Sequence, residues 1–129
     1  MTIYLKDKHT LQVDDFIFKC CIGKNGISKN KVEGDKKTPI GLFGIENLYY
    51  RMDKPLTKLK CIKINKNMGW CDDPNNMKNY NNLIKNKKNI KCENLYRNDK
   101  KYDLIIPIKY NFSKPVKLKG SCIFIHLTN

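Results

Sequence analysis

The chain has 129 residues (15.2 kDa), a net charge of +14, a pI near 9.6 and a mean hydropathy of −0.61, with seven Tyr and five Phe in a 40% hydrophobic composition. That length supports one domain, residues 1–129, with one modest core. No apolar run approaches the roughly 20 residues of a membrane helix, and residues 1–8 carry no apolar segment of secretory-signal length.

The charge invites a nucleic-acid reading, which the residue types weaken. Of the 26 basic residues, 24 are Lys and only Arg51 and Arg97 are Arg, beside 16 Asn, 15 Ile and no Ala. Lys, Asn and Ile share A/T-rich codons, so a biased genome accounts for the excess. Proteins that clamp phosphates or read bases favour the planar fork of Arg. An anionic partner could equally be a cell-wall polymer bearing carboxylates and phosphates.

In chain order the pattern is predominantly strand. Residues 2–6 and 10–13 read as short strands about a turn at Asp7-Lys8. Residues 16–22 alternate, with Phe16, Phe18, Cys20 and Ile22 on one face. Residues 23–39 form a long loop of Gly, Asn, Asp and Lys, of a length more often functional than idle. Strands follow over 41–50, 59–65, 103–110 and 121–127. Asp72-Asp73-Pro74-Asn75-Asn76 signals a turn, residues 85–91 a solvated loop, and 93–97 a short helical turn with Leu95 and Tyr96 inward.

The last strand matters most. Alternation puts Cys122, Phe124 and His126 on one face and Ile123, Ile125 and Leu127 on the other. A histidine closing an apolar strand is either a core His satisfied by one hydrogen bond or a base for a thiol or hydroxyl nucleophile. The six cysteines contain no C-x-x-C pair, and His9 and His126 do not complete a zinc spacing with them. They read as small hydrophobes with free thiols, Cys20 and Cys21 pointing to opposite faces of their strand.

Five blocks in order resemble one family. They are 18–26 with 31–43 (Glu33-Gly34-Asp35 and Thr38-Pro39-Ile40-Gly41), Gly69-Trp70-Cys71-Asp72-Asp73-Pro74 with Tyr80-Asn81, and 93–99 with Tyr102-Asp103-Leu104. Tyr110-Asn111 and the closing 120–126 complete the set. The chain resembles the YkuD-type L,D-transpeptidase catalytic domain over about 110 residues. The resemblance implies a mainly β sandwich fold with short helical segments, no cofactor, and cross-linking of peptidoglycan at the periplasm or cell wall. It implies that a cysteine thiolate attacks a donor stem tetrapeptide and expels D-Ala, backbone N–H groups holding the oxyanion, before an acceptor stem amine resolves the thioester. His126 falls on the family's proton acceptor and donor. Gly120, Ser121, Tyr80, Asn81 and Arg97 are the expected substrate-binding positions.

Several alternatives stand beside this. Trp70 and Tyr80 are core or groove aromatics. Arg97 either binds a stem carboxylate or pairs with Asp99 or Asp103. Glu33, Asp35, Thr38 and Pro39 read as a structural turn before substrate contact. The family's nucleophile follows the histidine in a Ser/Thr-x-Gly-Cys motif, and the chain ends at Asn129 before it. Cys122 is no substitute, because an extended strand at about 3.3 Å per residue puts it about 13 Å from His126. The expectation is a transpeptidase domain without its nucleophile, either a fragment or a degenerate remnant, inactive as it stands. A non-catalytic peptidoglycan-binding role and a nucleic-acid-binding role are the competing functions.

Overall fold

The structure, a computed structural model, describes residues 1–51, 53 and 60–128. Every regular element among them is a strand, so the chain is mainly β. It divides into two compact units, residues 1–41 and 42–129.

The first unit opens with an antiparallel meander of β1 (Ile3–Asp7), β2 (Thr10–Val13) and β3 (Phe16–Lys19). The turn sits one residue later than expected, at Lys8-His9, because Asp7 stays in the strand and its Oδ1 accepts the His9 N–H at 2.8 Å. Regular pairing ends at Lys19, short of the expected 22. In the loop, β4 (Ile27–Ser28) pairs in parallel with β5 (Thr38–Pro39). Asp35 organises this loop. Its carboxylate accepts from the Val32 N–H (2.9 Å), the Lys37 N–H (2.9 Å) and Lys31 Nζ (2.6 Å). Gly23 is required for the closure, since a Cβ there would lie 2.5 Å from Lys36 O. Its N–H donates to Thr38 Oγ1 at 2.8 Å.

The second unit contains a four-stranded sheet in the order β12-β11-β6-β7, with β6 (Leu48–Arg51), β7 (Cys61–Ile64), β11 (Leu104–Pro107) and β12 (Phe124–His126). β6 and β7 run parallel; β11 is antiparallel to both β6 and β12. A second sheet places β8 (Gly69–Trp70) between β9 (Leu83–Ile84) and β10 (Glu93–Asn94). Tyr49, Ile64 and Ile105 of the first sheet close one core with Met68, Trp70 and Leu95 around the second. Burying such side chains contributes about 1.5–3 kcal/mol each.

The expected strand over 41–50 is regular only from Leu48, preceded by a single bridge between Ile45 and Ile108. Gly41 and Gly44 lie in the irregular part, where glycine weakens strand order. Residue 59, the expected start of the next strand, lies outside the described residues. The turn at 72–76 forms, with the Asn76 N–H on Asp73 O at 3.0 Å. The helical turn over 93–97 does not: Glu93 and Asn94 pair as a strand with Trp70 and Gly69. Gly69 permits that approach, since a Cβ there would meet Cys92 Sγ at 2.3 Å. Leu95 is buried as expected, and Tyr96 is half-buried.

Candidate active site

The ladder between β11 and β12 sets His126 opposite Ile105 and Phe124 opposite Pro107. β12 is the outer strand of its sheet, so the imidazole is exposed. Nδ1 of His126 lies 2.6 Å from Leu127 O. A carbonyl oxygen can only accept, so in the neutral ring that contact favours the proton on Nδ1 and the lone pair on Nε2. The Tyr102 ring meets the imidazole edge-on at 5.3 Å and Phe124 at 5.9 Å. Phe124 continues inward to Trp70 at 5.3 Å. Phe124 and His126 therefore share a face, as alternation requires.

Cys122 does not belong to that strand. Its φ of 55° is left-handed, so the extended spacing expected from Cys122 to His126 does not apply. Its N–H donates to Asn81 Oδ1 at 3.2 Å, and its Sγ lies 3.8 Å from Trp70 O. The six cysteines are thiols rather than disulfides. Cys71 is buried, Cys21 is exposed and the others are half-buried.

Four of the expected site residues come together. Tyr80 is fully buried, and its hydroxyl accepts the N–H of buried Gly120 at 3.1 Å. Asn81, also buried, takes Trp70 Nε1–H (2.9 Å) and Cys122 N–H on Oδ1, and gives Nδ2 to Tyr110 O (3.0 Å) and Asn111 O (2.8 Å). Two donors on one side and two carbonyls on the other fix the amide's orientation. Ser121 is buried between these contacts, and its Oγ has no hydrogen-bond partner among the described residues. Trp70 thus sits in the core, tied to Asn81.

Arg97 stands apart from that cluster, beside Tyr102. Its guanidinium lies 5.0 Å over the Tyr102 ring, with Nη1 3.2 Å from Glu93 Oε1 and Nε 3.0 Å from Asp99 Oδ1. The Asp99 pairing holds Arg97 protonated well above its ordinary range, and Arg97 in turn holds the Asp99 carboxyl at about 2. Asp103 pairs instead with Arg51, at 3.4 Å. The Tyr102 hydroxyl is 3.2 Å from Glu93 Oε1, and burial pushes the phenol well above its usual value. Asn94, Tyr96, Arg97, Asn98 and Asp99 line a shallow open depression.

Sequence reading assigned no role to Tyr102, Glu93 or Asn111. Asn111 clamps the segment before Gly120: Nδ2 donates to Val116 O (3.0 Å) and Gly120 O (2.9 Å), and Oδ1 accepts from Val116 N–H (2.8 Å). The signal available was that Tyr110-Asn111 and Tyr102 fell within motif blocks. Their contacts depend on pairing that a sequence does not display.

Among the described residues, no group of three or more His, Cys, Asp or Glu could hold a metal ion, and no helix is long and apolar enough to cross a membrane. No curated protein and no solved structure matches the chain. The YkuD family, an L,D-transpeptidase catalytic domain, matches residues 1–129. With that match along its full length, the chain belongs to the YkuD family of L,D-transpeptidase catalytic domains.

Proposed function

We propose that this domain serves acyl transfer between peptidoglycan stem peptides at the cell wall, with His126 as the proton acceptor and donor. The observation that carries the reading is the 2.6 Å contact of His126 Nδ1 with Leu127 O. In the neutral ring it leaves the lone pair on Nε2, on an exposed strand end that a substrate can reach. A base must have its lone pair turned toward the proton it removes.

In this reading Nε2 takes the thiol proton and the thiolate attacks the carbonyl carbon of the third stem residue. The C–N bond to the terminal D-Ala breaks, and the imidazolium gives its proton to the leaving amine. An acceptor amine then attacks the thioester, His126 accepts that amine's proton, and the sulfur leaves and is reprotonated. The thiol is that of the family's Ser/Thr-x-Gly-Cys segment, which residues 1–129 do not contain. Cys122, with its sulfur against Trp70 O in the core, is not assigned this part. Tyr80 and Asn81 act by holding the 120–122 segment. Gly120 and Ser121 border the stem peptide, the Ser121 hydroxyl retaining unused hydrogen-bonding capacity. Arg97, read from sequence as either a stem-carboxylate binder or a partner of Asp99 or Asp103, takes no substrate contact in this reading, being paired with Asp99 and Glu93 over the Tyr102 ring.

Incubation with a disaccharide tetrapeptide tests this. The 129 residues alone are expected to release no D-Ala and gain no acyl mass. Joined to a Ser/Thr-x-Gly-Cys segment of the family, they are expected to do both. Failure of the joined protein to acylate, while folded, would sink the reading.

A further inference from the structure

Resting on the assignment of His126 as the base, we infer that Tyr102 is a positioning residue for the imidazole, held by a strap of Glu93, Arg97 and Asp99. An exposed imidazole turns broadly about its χ2 bond. The contact to Leu127 O is with the adjacent residue and open to water, so water competes for both partners. Something further is needed to keep Nδ1 on that carbonyl and Nε2 facing out. The Tyr102 ring, 5.3 Å from the imidazole at an interplanar angle of 74°, blocks rotation from one side.

Tyr102 can do this because it is fixed on its other sides. Phe124 meets it edge-on at 88°, and its hydroxyl donates to Glu93 Oε1 at 3.2 Å. Arg97 covers the ring while pairing with both Glu93 and Asp99. The main chain at Arg97 is anchored in turn to β6, where Arg51 Nη1 donates to Arg97 O at 2.6 Å. A planar guanidinium held by two carboxylates is a stiff cover for a ring. Remote side chains thereby reach the histidine without touching substrate.

The test is the tautomer of His126, read from 15N shifts of the labelled chain at a pH high enough that the shifts no longer change. The chain has two histidines, and His9→Gln assigns the signals. Wild type is expected to be about nine-tenths Nδ1–H, because only that form donates to the carbonyl. In Tyr102→Leu the Nδ1–H fraction is expected to fall severalfold, while Tyr102→Phe, which keeps the ring, preserves most of it. Tyr102→Leu with unchanged Trp70 fluorescence and an unchanged tautomer would overturn the inference. If Tyr102→Leu does not fold, Glu93→Leu decides, since that side chain is partly exposed. A loss of about twofold or more supports the strap, and a wild-type tautomer overturns it. A wild-type chain already in the Nε2–H form would instead sink the assignment of His126, which separates the two failures.

Discussion

Asp35 illustrates how a single residue decides a loop. Burial raises its pKa, but Lys31 and the Val32 and Lys37 N–H groups outweigh burial and hold the carboxyl at about 2, against 3.8 ordinarily. The folded pKa is depressed, so its stabilisation is complete above about pH 4 and is lost as pH falls toward 2. That is about 2 kcal/mol, and Asp35→Asn is expected to remove most of it at neutral pH. Urea midpoints at pH 7 and pH 2.5 are the check: the gap between wild type and Asp35→Asn should shrink sharply at the lower pH. An equal gap at both values would show that Asp35 does not act through its charge. The structural reading of Glu33-Gly34-Asp35 was available from turn chemistry. The pairing of Asp35 with Lys31 was not, because 24 lysines offered no reason to choose one.

At the level of elements, the 120–122 segment joins the core to β12. Cys122 adopts a left-handed backbone, which for a residue with a Cβ costs roughly 1–2 kcal/mol. Asn81, Tyr80 and Asn111 supply the hydrogen bonds that hold it. Asn81→Ala would strand the indole N–H, the Cys122 N–H and two carbonyls, and is expected to destabilise by about 3 kcal/mol or more. Urea unfolding at an unchanged slope reads that loss; less than about 1 kcal/mol would mean water replaces the amide. Turn signals and strand-like runs located β2 and β11, and period-2 alternation located β12 and the shared face of Phe124 and His126. It extended β12 too far, because alternation cannot register a left-handed residue enforced by a side chain 41 positions earlier. The same limit turned 93–97 into an expected helical turn. Its amide-to-carbonyl partners lie on β8, and only the absence of a side chain at Gly69 lets that pairing close.

For the molecule as a whole, ordered motif blocks conveyed the family and its mainly β character, while composition contributed little. The charge of +14 says more about lysine usage than about a site: among the described residues Lys31 is the buried lysine, and it serves the loop. The expected site residues separate by place. His126 stands exposed on an edge strand, Tyr80, Asn81, Gly120 and Ser121 cluster at the buried 120–122 segment, and Arg97 lies over the Tyr102 ring. The most direct test is the rate of thioester formation by intact mass, with a donor tetrapeptide and the chain joined to a Ser/Thr-x-Gly-Cys segment. Wild type is expected to acylate and release D-Ala, Cys122→Ala to match it, and His126→Ala to slow acylation by about 10²–10⁴-fold. Equal acylation by His126→Ala, or an acyl group mapped to Cys122, would contradict the account.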